Sequence, residues 1–258
     1  MGKIICISNQ KGGVGKTTTA VNLATALALA EKNLLFLDLD FQGHATNILG
    51  ATDNQVKTGT YDILSGEMPI EQAIKDTKIN FLKLIRADMR LINADCDLRQ
   101  NTLKEVILKN RLETIKEKFE FIIIDCPPSL NILGINGINA ADMVIIPLQC
   151  EYLALESLGQ YFKIFNSLKK KYKSNTKIGG ILLNMYDSNE VVSRKIADDV
   201  KRSFNGMVYK TIIPRSRSIR ESASRGKSII LSDIASEGAK SFLSLAGEII
   251  GTVHSSQE

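Results

Sequence analysis

The chain has 258 residues, of which 44% are hydrophobic and 24% charged, a composition typical of a folded globular protein rather than a disordered or fibrous one. Four cysteines without C-x-x-C spacing and only two histidines argue against a zinc site, and the lack of an 18-residue apolar run argues against a membrane span. The formal net charge of +5 permits contact with nucleic acid without requiring it.

A glycine-rich segment lies close to the start of the chain. Residues 4–7 are apolar and typical of a strand, residues 20–30 are rich in Ala and Leu and predict a helix, and residues 10–19 read Gln-Lys-Gly-Gly-Val-Gly-Lys-Thr-Thr-Thr. This order is the context of a phosphate-binding loop, in which backbone N–H groups and a helix N-terminus face an anion. Lys16 would bind the β- and γ-phosphates, and the Thr17 hydroxyl suits Mg²⁺.

The loop departs from the common phosphate-loop pattern, which would place glycine where this chain has Gln10, and a second lysine, Lys11, opens it. Residues 11–18 resemble the deviant Walker A motif of the ParA/MinD family of ATPases. The resemblance implies that Lys11 reaches across an ATP-bound dimer to the partner's phosphates. It also implies that ATP is bound by Lys11, Gly12, Gly13, Val14, Gly15, Lys16, Thr17 and Thr18.

Residues 34–40 form an apolar run that ends in two acids, Asp38 and Asp40. We predict a second buried strand whose carboxylates lie at its C-terminal edge, where ligands bind in open α/β sheets. Asp40 matches the family residue that positions the attacking water, whereas Asp38 is better interpreted as a hydrogen-bond partner. The family's next residues usually read Pro-Gln-Gly-Asn, and this chain has Phe41 and His44 in place of Pro and Asn.

Residues 121–125 form a β-branched, apolar run that ends in Asp125, after which Pro127 and Pro128 prevent the strand from continuing. An acid at this Walker B position can hold Mg²⁺, so Asp125 and Thr17 are the predicted metal-binding residues. The sequence from Asp125 to Ser129 also resembles the switch II segment of the same family.

Strands and helices alternate along the rest of the chain. We predict helices over residues 70–74, 91–110, 153–172, 191–204 and 234–253, and strands over residues 81–85, 142–148, 178–184 and 207–213. This alternation predicts an α/β fold: a doubly wound, mostly parallel β-sheet flanked by helices, as in P-loop NTPases. We expect residues 1–258 to form a single ATPase domain.

The resemblance also covers the C-terminal third. It implies that adenine lies against the loop starting at Pro214, with Ser216 and Asn184 as further contacts. Chromosomal relatives commonly carry DNA-contacting arginines at the positions of Asn189 and Ser218, which this chain lacks. The neighbouring basic residues are the candidates for DNA contact: Arg194, Lys195, Arg215, Arg217 and Arg220.

These features predict a ParA-type, Soj-like ATPase that hydrolyses ATP with Mg²⁺ and uses Lys11, Lys16 and Asp40 in catalysis. The resemblance implies an ATP-dependent homodimer, non-specific DNA binding and a ParB-like partner in chromosome or plasmid partition. The first strand begins almost at once, which predicts no signal peptide and a cytoplasmic, nucleoid-associated protein. The alternatives are a MinD-like ATPase acting at a membrane, which the lack of a basic amphipathic tail disfavours, and a non-hydrolysing scaffold for another cargo.

Overall fold

The computed structural model describes residues 2–50 and 58–255, and seven strands of this part of the chain form one sheet. The strands are β1 (Lys3–Ile7), β2 (Leu34–Asp38), β3 (Lys75–Asp76), β4 (Leu82–Ile85), β5 (Phe121–Asp125), β6 (Met143–Gln149) and β7 (Lys177–Asn184). Their order is β3-β4-β2-β5-β1-β6-β7, and every neighbouring pair is parallel except β3 with β4. The predicted doubly wound, mostly parallel sheet is therefore confirmed.

Helices cover both faces of the sheet. They are α1 (Lys16–Leu29), α2 (His44–Leu49), α3 (Thr60–Ser65), α4 (Ile70–Ala73), α5 (Ala94–Asp97), α6 (Ile107–Glu113), α7 (Ile132–Ala140), α8 (Ala154–Tyr172), α9 (Val191–Ser203), α10 (Arg217–Ser224), α11 (Ile229–Ser232) and α12 (Glu237–Ser255). Short 3₁₀ segments span Met89–Asn93 and Lys116–Lys118. Most predicted elements match these within a few residues, whereas the sequence analysis predicts neither β3 nor the helices α2, α3, α7 and α11.

The central strands are apolar on both faces because both faces are covered. Side chains alternate across a strand, so Ile4 and Cys6 of β1 belong to one buried layer, while Ile5 and Ile7 belong to the other. The second layer also contains α1 and α12, which pack closely against each other. This packing fixes α1, and with it the loop that precedes α1, relative to the sheet.

The prediction of one helix over residues 91–110 is wrong. The segment instead contains a 3₁₀ turn, the short α5 and, after an irregular stretch, α6. The Asn101 side chain accepts a hydrogen bond from the Leu103 backbone N–H at 2.9 Å. Asparagine side chains that bind nearby backbone groups compete with helical hydrogen bonds, which explains the interruption.

The prediction of a last strand over residues 207–213 is also wrong. This segment runs beside β7 and makes an isolated parallel bridge to Ile181, but it is not a regular strand. The backbone N–H groups of Lys210 and Thr211 donate instead to the Glu248 carboxylate of α12, at 2.8 and 3.1 Å. Tyr209 and Ile213 still donate to the Ile181 and Leu183 carbonyls of β7, at 3.0 and 2.9 Å, so the pairing is interrupted between them and no regular strand forms.

Candidate nucleotide site

The sheet order brings the predicted phosphate loop and the predicted acids to one edge. Strands β2, β5 and β1 are neighbours, and their carboxyl ends are followed by Leu39, Cys126 and Ser8. In the register between β2 and β5, Asp38 lies opposite Asp125. Residues that are far apart in the sequence therefore converge where ligands bind in such sheets.

The phosphate loop has its shape because two glycines take left-handed backbone angles. Gly13 has φ of 75° and Gly15, just before α1, has φ of 86°. A Cβ at Gly15 would also clash with the side-chain amide of Asn184. That amide donates to the Val14 carbonyl at 2.8 Å, so β7 holds the loop from the side.

The two lysines of the loop have different surroundings. The Lys16 side chain is buried, and its ammonium donates to the Lys11 carbonyl at 2.9 Å. Burial lowers the pKa of Lys16, and the negative charge of Asp125 opposes this shift. Lys11 is partly exposed, and its ammonium forms an ion pair with Glu151, which follows β6. The sequence offers no signal for this role of Glu151.

Asp125 is a fully buried acid at the end of β5. Among the described residues, none donates within hydrogen-bonding distance to either of its carboxylate oxygens. Burial raises the pKa of Asp125 well above the ordinary value and the charge of Asp38 adds to the shift, whereas the Thr17 hydroxyl and Lys16 oppose it. An unpaired buried carboxylate beside a hydroxyl and two further acids fits a divalent cation, which would neutralise the cluster.

The described residues contain no group of three or more His, Cys, Asp or Glu side chains able to hold a metal ion. Mg²⁺ is usually bound through one or two protein oxygens, waters and substrate phosphates. The residues present, Thr17 and Asp125, are of the type that this coordination needs.

Asp38 organises the segment that follows β2. Its carboxylate accepts hydrogen bonds from the Asp40 backbone N–H at 3.0 Å, from the Thr46 backbone N–H at 2.9 Å and from the Thr46 hydroxyl at 2.8 Å. Burial raises the pKa of Asp38 to about 6, and the hydrogen bonds from Thr46 and Asp40 oppose the shift. Asp38 is thus a hydrogen-bond partner that positions the Asp40 turn and α2.

Asp40 itself lies at the partly exposed surface of the edge. Its Oδ1 accepts a hydrogen bond from the Gln42 backbone N–H at 3.0 Å, and Gly43 then turns the chain with φ of 61° into α2. Phe41, the residue in place of the family proline, packs against the hydrophobic core. The side chain of Asp40 is consequently carried on a turn that Asp38 anchors at one end.

A cavity of about 260 Å³ continues from the phosphate loop toward α10. It is lined by Thr18, Asn184, Met185, Pro214, Arg215, Ser216, Ile219, Arg220 and Ala223. The three predicted adenine contacts, Asn184, Pro214 and Ser216, therefore share one cavity with the phosphate loop. Asn184 uses its amide N–H on Val14 and its oxygen on the Met185 backbone N–H, so it shapes the loop as well as the cavity.

The predicted DNA contacts are all exposed but do not form one group. Arg194 and Lys195 lie on α9, where the Arg194 guanidinium donates to the Ser188 carbonyl at 2.6 Å. Arg217 lies at the start of α10 and pairs with Glu221 at 2.6 Å. Arg215 and Arg220 instead line the cavity described above.

Comparison with known proteins identifies similar chains over almost the whole length. Residues 2–178 match the AAA domain family. Sporulation initiation inhibitor protein Soj of Bacillus subtilis is 45% identical over 249 residues, covering 96% of this chain and 98% of that protein. Chromosome partitioning protein ParA of Myxococcus xanthus is 41% identical over 250 residues, covering 97% of this chain and 88% of that protein.

A solved structure shares the fold as well. The structure of cobyrinic acid a,c-diamide synthase from Mycobacterium smegmatis with bound ADP and magnesium is 32% identical. The alignment covers 97% of this chain and 94% of the synthase chain, with a TM-score of 0.84. The name of the synthase denotes a different activity. The sequence identity of this chain to Soj of Bacillus subtilis and to ParA of Myxococcus xanthus is higher, over a similar share of the chain. No helix in the described ranges is long and apolar enough to cross a membrane.

Proposed function

The chain belongs to the ParA/MinD family of P-loop ATPases and is similar to its Soj members. We propose that it hydrolyses ATP with Mg²⁺ to drive chromosome or plasmid partition. The observation that carries the proposal is the convergence of Lys16, Thr17 and the unpaired, buried Asp125 at one sheet edge. A cradle for phosphates beside an unneutralised carboxylate is suited to a metal–nucleoside triphosphate.

The residues of this edge divide the work of hydrolysis. Backbone N–H groups of residues 12–18 and the Lys16 ammonium bind the phosphates, and Thr17 and Asp125 hold Mg²⁺, which when bound neutralises charge developing on them. Asp40 orients the attacking water, and Asp38 keeps the Asp40 turn in place. Catalysis then depends on positioning and positive charge rather than on covalent chemistry.

Lys11 acts across an ATP-dependent homodimer in this proposal. Its ammonium is partly exposed and directed to Glu151, at the surface beside the phosphate loop. An exposed ion pair of this kind is weak, so a second set of phosphates can compete with Glu151 for the lysine. The dimer is therefore expected to form when both chains carry ATP.

The dimer binds DNA without sequence preference, through exposed cations of α9 and α10, and so associates with the nucleoid. Contacts with DNA phosphates need position and charge but no base code, so Arg194, Lys195 and Arg217 can serve without arginine at positions 189 and 218. A ParB-like partner stimulates hydrolysis and releases the dimer from DNA. Proteins named for chromosome partitioning among the relatives support this role.

The whole chain works as a single ATPase domain in this proposal, and membrane targeting through its C-terminal helix is disfavoured. Phe242, Leu245 and Ile249 of α12 are fully buried, and α12 packs on α1. This apolar face is therefore already covered by the protein. A MinD-like ATPase remains the alternative, and sedimentation with anionic lipid vesicles in ATP and Mg²⁺ separates the two, because only the MinD-like protein should pellet.

The direct test is phosphate release with ATP, measured with Mg²⁺ and with EDTA, beside a DNA mobility-shift assay under the same conditions. We expect release that requires Mg²⁺ and a DNA shift that requires ATP. ATP binding without release would favour the non-hydrolysing scaffold. Release without a DNA shift at low salt would leave an ATPase without the proposed partition role.

A further inference from the structure

Helix α10 has two faces with different surroundings. Ser216, Ile219, Arg220 and Ala223 line the cavity next to the phosphate loop, and their spacing of three and four residues places them on one side of the helix. Arg217 and Glu221 pair with each other on another side, and the Arg217 side chain is 86% exposed. The basic residues around α10 are thus divided between a cavity and the open surface.

The cavity side carries an excess of positive charge. Arg215 and Arg220 line it, and none of its lining residues is acidic. Among the described residues, no carboxylate forms an ion pair with either guanidinium, in contrast to Arg217 with Glu221. Met185, Pro214, Ile219 and Ala223 form an apolar lining, so the cavity suits a flat aromatic ring joined to an anionic group.

We propose that Arg220 and Arg215 bind the nucleotide rather than DNA, with the Arg220 guanidinium covering the purine ring and Arg215 bounding the mouth of the cavity. The inference rests on the proposed ATPase function, which puts the base in this cavity. A planar guanidinium stacks on an aromatic face, so Arg220 would contact one face of the purine while the apolar lining contacts the other. The two arginines then contribute to affinity for the base and not to contacts with DNA phosphates.

The rest of the structure connects α10 to the phosphate loop. After α10, the Ser228 hydroxyl and the Ile229 backbone N–H both donate to the Asn22 side chain of α1, at 2.8 and 2.9 Å. The same Asn22 side chain donates to the Thr18 carbonyl at 2.8 Å. Buried polar contacts therefore hold the far end of α10 against the helix that begins at the phosphate loop, which keeps the cavity side of α10 facing the nucleotide.

The test compares the variants Arg220→Ala, Arg220→Lys and Arg217→Ala. The control is Arg99→Ala: Arg99 is exposed and lies beyond α5, so this substitution removes the same charge away from the cavity. ATP affinity is measured by calorimetry with Mg²⁺, and inorganic tripolyphosphate serves as a ligand without a base. DNA affinity is measured over a range of salt concentrations, with ATP raised until each variant is saturated.

We expect Arg220→Ala to weaken ATP binding by roughly three- to thirty-fold, the range of a cation–π contact, with tripolyphosphate binding unchanged. Arg220→Lys should lose most of the same affinity because an ammonium lacks the planar surface. The salt dependence of DNA binding should stay the same in both, whereas Arg217→Ala should flatten it.

Normal ATP affinity in Arg220→Ala, or a flattened salt dependence of DNA binding in that variant, would overturn the inference. An equal loss of tripolyphosphate affinity would overturn the contact with the base, since charge alone would then explain the effect. Failure of the proposed ATPase function would look different, because wild-type protein and Arg99→Ala would then also fail to bind ATP.

Discussion

The phosphate end and the nucleoside end of the proposed nucleotide site are built in different ways. The phosphate end is one continuous segment, from β1 through two left-handed glycines into α1, completed by acids at the ends of two neighbouring strands. The nucleoside end joins the residues after β7 to α10 and the loop before it. The first end is charged and fixed by its own backbone, while the second is apolar with arginine side chains at its surface.

This difference shows which part of a binding site can be predicted from the amino-acid sequence. A continuous loop must carry its special backbone angles in its own residues, so glycine and lysine spacing exposes it. A cavity assembled from separate segments depends on how the chain packs, so its residues Asn184, Pro214 and Ser216 can be expected only through the family resemblance and not from a local pattern. Asn184 belongs to both ends, since it holds the Val14 carbonyl and lines the cavity.

The largest effect is expected at the phosphate end, for Asp40→Ala. The loop and Lys16 stay intact, so ATP binding should persist while hydrolysis falls by roughly 10²- to 10⁴-fold, the usual contribution of a positioned acid or base. The variant should therefore accumulate as an ATP-bound dimer, seen by size-exclusion chromatography with ATP and Mg²⁺. Asp198 is an exposed acid on α9, so Asp198→Ala is the control for the loss of a carboxylate, with hydrolysis measured in the absence of DNA. Normal hydrolysis in Asp40→Ala would assign the water to another residue.

Lys16→Ala tests the same end through binding. It removes a buried charge that the protein holds against the Lys11 carbonyl, so ATP affinity should fall by roughly 10- to 150-fold, as expected for a charge-assisted hydrogen bond. Calorimetry with the ATP–Mg²⁺ complex measures the affinity. Lys170→Ala is the control, because it removes an equal charge from the exposed side of α8. Wild-type affinity in Lys16→Ala would contradict the assignment of the phosphate loop.

Lys11 and Glu151 allow the trans role to be separated from the loop itself. Lys11→Ala should keep nucleotide binding but weaken ATP-dependent dimerisation by roughly tenfold or more, because each site loses a charged hydrogen bond. Glu151→Gln should act in the opposite direction by a few-fold at most, since it frees Lys11 from a weak, exposed ion pair. Analytical ultracentrifugation over a range of ATP concentrations measures both. Normal dimerisation in Lys11→Ala would exclude the trans role.

Asn184→Ala tests how far the two ends depend on each other. The change removes the hydrogen bond to the Val14 carbonyl and opens space beside Gly15, so both the loop and the cavity lose support. A neutral hydrogen bond contributes modestly, so ATP affinity should fall by roughly two- to twelve-fold. Tripolyphosphate affinity should fall with it, because the loop itself is affected. A loss for ATP alone would mean that Asn184 serves only the nucleoside end.

Much of the fold and most of the phosphate end follow from the sequence, because periodicity and loop residues are local. The exceptions have identifiable causes in distant contacts. Glu248 of α12 accepts the backbone N–H groups of Lys210 and Thr211, which interrupts the pairing of residues 207–213 with β7, so the predicted regular strand does not form. Glu151 becomes the partner of Lys11 only because β6 lies next to β1. The division of the basic residues around α10 likewise requires knowing which side of the helix faces the cavity.

The smallest expected effect lies outside both ends of the site, on the DNA-binding surface. Arg217→Ala should weaken binding of the ATP-bound dimer by a few-fold on every DNA sequence alike, because an interaction with phosphate carries no base information. The plot of log affinity against log salt should flatten by roughly 0.9 for each DNA phosphate that the variant no longer neutralises. Arg217 pairs with Glu221 at the surface, so part of its charge is already compensated and the change in affinity should be modest.

Glu221→Gln provides the comparison, since it releases Arg217, and also the more distant Arg225, from ion pairs without adding a cation. This variant should bind DNA slightly more tightly than wild-type protein, with a steeper salt dependence, while Arg217→Ala does the reverse. Fluorescence anisotropy on two unrelated duplexes, with saturating ATP and Mg²⁺, measures both. If neither variant changes the salt dependence, α10 is not part of the DNA surface, and the exposed cations of α9, Arg194 and Lys195, become the residues to substitute next.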